Sequence, residues 1–87
     1  MRLKSILIKM EPLLLDMLES GKEGTRMELF KRSGLDNWSE FKRLFSFLRS
    51  QDMLMGSIPR DAKKIEPGNI PWTLSRHGRK VVQDFCG

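Results

Sequence analysis

Between residues 56 and 71 the chain carries Gly56, Pro59, Pro67, Gly68 and Pro71, and no helix can run through such a stretch. This segment divides the chain. Ahead of it, Gly21, Gly24 and Gly34 cut an otherwise helix-compatible sequence into three stretches, and behind it a short apolar run leads into one last amphipathic helix. With 87 residues there is room for one hydrophobic core and no cleft between domains. Residues 1–87 therefore read as a single domain, without internal repeats or low-complexity tracts.

The first helix is expected over residues 12–20, where Leu14, Met17 and Leu18 share a face, Pro12 suits a first turn and Gly21 follows the end. Thr25 and Glu28 have the spacing of a capping box, so a second, short helix starts there, with Met27 and Phe30 expected on its inner face and Gly34 as its stop. Asp36 or Asn37 can cap a third helix from about Trp38 to Gln51. In it, Trp38, Phe41, Leu44, Phe45 and Leu48 form an apolar stripe, and Ser39, Lys42, Arg43, Ser46 and Ser50 fall opposite. Two short helices joined by a tight Gly-Leu-Asp turn make a helix-turn-helix pattern over residues 25–51.

Residues 53–58 and 70–74 are short strand candidates, which makes residues 53–74 a hairpin whose long loop holds Arg60, Lys63 and Lys64 against Asp61 and Glu66. Ser75 then caps a final helix, residues 75–86, with Gly78, Val81, Val82 and Phe85 inward. The expected class is mainly α with a small β-hairpin, an α+β fold.

At 39% hydrophobic and 31% charged, the composition is that of a globular domain rather than a disordered tail. Sixteen Lys and Arg against eleven Asp and Glu leave a formal charge of +5, which favours a polyanionic partner, nucleic acid first. A lone Cys86 forms no internal disulfide, which suits a reducing cytoplasm. The basic and then apolar start is interrupted by Lys9, Glu11, Pro12 and Asp16 and lacks a small-residue cleavage site, so neither a signal peptide nor a membrane span is expected. His77 with one distant cysteine makes no metal set, and no nucleophile-base pairing or phosphate-binding Gly loop is present. No enzyme activity, cofactor or small-molecule ligand is therefore expected.

The run Trp72-Thr73-Leu74-Ser75-Arg76-His77-Gly78-Arg79-Lys80-Val81-Val82 resembles the strand-to-helix signature of winged helix-turn-helix domains of bacterial and archaeal transcription regulators. That signature runs aromatic, variable, Leu, Ser or Thr, two polar residues, Gly, then apolar. Residues 25–53 resemble the helix-turn-helix and the strand that opens the wing, so the resemblance covers nearly the whole chain. It implies a three-helix core with a two- or three-stranded wing and a C-terminal helix. It also implies double-stranded DNA as partner, with the third helix in the major groove. Carried over residue by residue, the recognition-helix candidates are Asn37, Ser39, Lys42, Arg43 and Ser46, with Arg43 suited to a guanine edge and Asn37 to adenine if it is not committed to the cap. Arg26, Lys31 and Arg32 take the phosphate positions of the second helix, and Arg60, Lys63 and Lys64 those of the wing.

Residues 1–11 add Leu3, Ile6, Leu7, Ile8 and Met10, more apolar surface than one small core readily accommodates. Leu3, Leu7, Met10, Leu14 and Met17 match a helical seam, but Pro12 argues for a kink or a separate extended segment. Pairing with a second copy would cover this surface, so a homodimeric, nucleoid-associated regulator is expected. The alternative is a winged-helix module for protein interaction in a larger assembly, favoured if Phe47, which lies off the stripe, is exposed.

Overall fold

The computed structural model describes residues 2–57 and 69–86. Within them the order is α1 (Leu3–Ser20), α2 (Arg26–Ser33), α3 (Trp38–Ser50), β1 (Leu54–Gly56), β2 (Trp72–Leu74) and α4 (Arg76–Cys86). The architecture is mainly helical with a small antiparallel sheet, as the punctuation predicted.

The first departure from expectation is α1. It runs unbroken through Pro12, so residues 3–11 belong to the helix rather than to a separate extended segment. Proline there forfeits the bond to the Ile8 carbonyl and crowds it, at about 3 kcal/mol. Ahead of Pro12, however, Ile6, Leu7 and Met10 are buried to 4% exposure or less, and full burial of such side chains contributes about 1.5–3 kcal/mol each. Packing outweighs the lost bond. Pro12 and Ile8 are both exposed, so water can reach the orphaned carbonyl on that side. The helix ends at Gly21, whose N–H bonds the Met17 carbonyl at 3.0 Å.

The capping box on α2 is complete: the Glu28 N–H donates to Thr25 Oγ1 at 3.3 Å, and the Thr25 N–H to Glu28 Oε1 at 3.0 Å. The phase it sets points Leu29 and Ser33 inward. Met27 is thereby 48% exposed, against the expectation that it lies on the inner face, and Phe30 is half-buried. Gly34, at φ +77°, ends the helix in the left-handed region that other residues resist.

Phe41, Leu44, Phe45 and Leu48 form the buried stripe of α3 as their spacing predicted, with Trp38 half-buried at its start. Aromatic rings then connect the elements edge to face, stacked or tilted. Phe30 meets Trp38 at 5.2 Å, Trp38 meets Phe41 at 5.7 Å, Phe41 meets Phe45 at 5.7 Å, and Phe45 meets Trp72 of β2 at 5.4 Å. This line of rings holds the α2–α3 pair against the sheet.

The strands pair antiparallel with Leu54 opposite Leu74, Met55 opposite Thr73 and Gly56 opposite Trp72. Each is shorter than expected. Trp72 also exchanges both backbone bonds with Gly24, at 2.7 and 3.1 Å, which adds a one-residue third strand from the α1–α2 connection. Ser75 Oγ accepts from the Gly78 N–H at 2.9 Å and donates to the Asp52 carbonyl at 2.5 Å, capping α4 and joining it to the end of α3. At Gly78, α4 comes so close to the Met53 backbone that an added Cβ would lie 2.1 Å from the Met53 carbonyl oxygen. The core is completed by Val82, with Val81 and Phe85 half-buried beside it. No described helix is long and apolar enough to cross a membrane.

Candidate nucleic-acid interface

An amphipathic helix with one buried stripe must present its remaining positions to solvent, and on α3 those positions include Ser39, Lys42, Arg43 and Ser46, all exposed. The single acid within α3, Glu40, lies off this face. Its backbone N–H is taken by the cap and its carboxylate sits 3.9 Å from Lys9 of α1. Neither Lys42 nor Arg43 has a carboxylate within ion-pair distance among the described residues. Lys42 Nζ stands 5.7 Å from the Trp38 ring centroid, a cation–π contact that biases the ammonium toward the start of the helix.

Asn37 is exposed, but its Oδ1 accepts the Glu40 N–H at 3.0 Å and caps α3. Bidentate pairing with adenine needs that oxygen together with the amide N–H, so the capping conformation withdraws Asn37 from the adenine role. Glu40 does not close the reciprocal half of a capping box, unlike Glu28.

The cations of α2 separate into two kinds. Lys31 is exposed and Arg26 half-buried at the start of the helix. Arg32 is occupied instead: Nε donates to Asp16 Oδ2 at 2.6 Å, Nη2 lies 2.5 Å from the same oxygen, and Nη1 reaches the Lys22 carbonyl at 3.3 Å. It ties the last turn of α1 to α2, so its charge is already matched. Arg60, Lys63 and Lys64 lie outside the described residues.

Arg49 is a further cation that belongs to no candidate set in the sequence. It is exposed on the last turn of α3, and its guanidinium stacks 4.5 Å from the Trp72 ring centroid. Stacking on an aromatic face leaves the edge N–H donors free. The spacing of Lys42, Ser46 and Arg49 already placed it on the outward face. What the spacing did not show is that Trp72, distant in sequence, would hold it there.

Two titrating groups elsewhere are displaced. The backbone and hydroxyl of Thr25 hold Glu28 below the ordinary glutamate range. Partial desolvation, reinforced by Glu11, pushes the Cys86 thiol up and disfavours its reactive thiolate.

Compared with protein-family models, curated proteins and solved structures, the chain matches none of them.

Proposed function

We propose that this chain is a winged helix-turn-helix domain that binds double-stranded DNA as a transcription regulator on the nucleoid, without catalysis. The observation that carries the reading is the outward face of α3, where Lys42 and Arg43 stand unpaired among the described residues between the small hydroxyls of Ser39 and Ser46. Small side chains let a helix sit deep in the major groove, and the two cations can reach guanine edges or phosphates. The order of the elements, and the extra bridge from Gly24 to Trp72, support the resemblance stated from the residues. Arg49 joins Arg26 and Lys31 as the described phosphate contacts, and Arg32 leaves that set.

Most of the apolar surface that suggested a homodimer, Ile6, Leu7, Met10, Leu14 and Met17, is buried within the protomer itself, which leaves half-buried Leu3 and exposed Ile8 as its remainder. One domain then binds one duplex. Phe47 is half-buried against the core, so it no longer favours the protein-interaction alternative.

Duplex binding measured at several salt concentrations tests the proposal. With about five phosphates neutralised, the log-log slope should be near −4 to −5, from ~0.9 per phosphate. Lys42→Glu with Arg43→Glu should abolish duplex binding while leaving the circular dichroism spectrum unchanged. Salt-independent affinity, or unchanged binding by that variant, refutes it.

A further inference from the structure

A second surface differs in composition from the α3 face. Met55 projects from the outer face of the hairpin at 51% exposure, opposite Thr73. Together with Leu74, Arg76 and Arg79 these residues line a groove open to solvent between the sheet and the first turns of α4, and no residue of α3 lines it.

The charges there are poorly placed for stability alone. Arg76 and Arg79 stand at the positive end of the α4 macrodipole, and no acid occupies that first turn. Neither arginine has a carboxylate within ion-pair distance among the described residues. An anion lying over the groove would relieve both.

Charge alone fits a phosphate or a carboxylate equally well, and Met55 separates them. A thioether with half its surface in water gains from an apolar side chain and nothing from a sugar-phosphate strand. Met and Arg together are enriched at protein interfaces, where Lys is depleted, whereas the α3 face combines Lys42 and Arg43 with serines. We propose that this groove binds an acidic, amphipathic segment of a partner protein. An apolar side chain of the partner packs on Met55 and Thr73, and flanking carboxylates pair with Arg76 and Arg79, whose planar guanidinium groups suit bidentate contacts. The proposal is independent of DNA binding by α3, and it gives the domain two faces, one toward the duplex and one toward a partner.

The test is titration of the full chain with a labelled peptide carrying one Leu or Phe flanked by Glu and Asp, followed by anisotropy and by backbone amide NMR shifts. Shifts should concentrate at Met55, Thr73, Leu74, Arg76 and Arg79. Arg76→Gln with Arg79→Gln should weaken binding about tenfold or more, of the order expected for losing charge-assisted pairs. Met55→Gln should weaken it severalfold, and Lys42→Gln with Arg43→Gln should leave it unchanged. All five substituted positions are exposed, and thermal unfolding of each variant checks the fold. Four results overturn the proposal: no binding at millimolar peptide, polyglutamate of equal length binding as well with Met55→Gln indifferent, the same shifts produced by raising the protein concentration alone, or loss of duplex affinity rather than peptide affinity in the Arg76 and Arg79 variant. The last two would assign the groove to a second copy and to nucleic acid respectively.

Discussion

Gly78 shows how a single position can be set by something far away in the chain. The spacing places it on the inner face of α4, but only the tertiary fold brings the Met53 carbonyl to within 2.1 Å of where a Cβ would stand. Backbone cannot yield as a flexible side chain does, so Gly78→Ala must push α4 away from the sheet. The expected loss is about 2–3 kcal/mol, at the upper end for overpacking, measured by urea unfolding. Glu28 is the opposite case, a residue whose role is visible within four positions of sequence. Its folded-state pKa lies below the ordinary value because Thr25 hydrogen-bonds the carboxylate. A group depressed in this way stabilises the fold above its unfolded pKa, and the contribution disappears as pH falls through the folded value. The stability difference between the native chain and Glu28→Gln should therefore be greatest at neutral pH and shrink on acidification, as followed by denaturant midpoints. A constant difference would mean that the capping box does not titrate.

Among the elements, α1 departs most from its sequence pattern. Helix caps and glycine stops act within a turn, which is why the ends of α2 and α3 and the start of α4 were legible in Thr25, Gly34, Asn37 and Ser75. Pro12 is just as local a signal, and by itself it argues for a kink or a separate extended segment. It is overridden because residues on both of its sides, Met10 and Leu13 among them, are buried in the same core. The cost remains in the native state even so. Pro12→Ala restores a donor for the Ile8 carbonyl and should stabilise the chain by about 1–3 kcal/mol, since the penalty of proline in a helix interior exceeds its benefit in restricting the unfolded chain. A lower Tm in that variant would show that α1 depends on proline for a bend. Met27 was misplaced for a related reason. In a helix of eight residues two phases fit the apolar positions nearly as well, and the burial of Leu29 and Ser33 decides between them.

For the whole molecule, the candidate DNA surface depends on which cations remain available once the chain has folded. Lys31 and Arg32 are neighbours in sequence and look equivalent there, yet Arg32 is held by Asp16 and the Lys22 carbonyl while Lys31 faces solvent. Lys31→Gln should reduce the salt slope of duplex binding by about 1 with little change in stability. Arg32→Gln should leave that slope unchanged and lower stability by about 0.5–1 kcal/mol, as for a partly exposed ion pair. Equal slopes lost in both variants would return Arg32 to the interface. By itself the sequence determined the class of fold, the order of the elements and most helix ends, because turns, caps and periodicity are properties of neighbouring residues. Only the tertiary structure decided that α1 is one helix, that its apolar face belongs to the protomer's own core, that Asn37 and Arg32 are already engaged and that Arg49 rests on Trp72. Each of these depends on groups distant in sequence meeting in space, and no local pattern encodes which of them will meet.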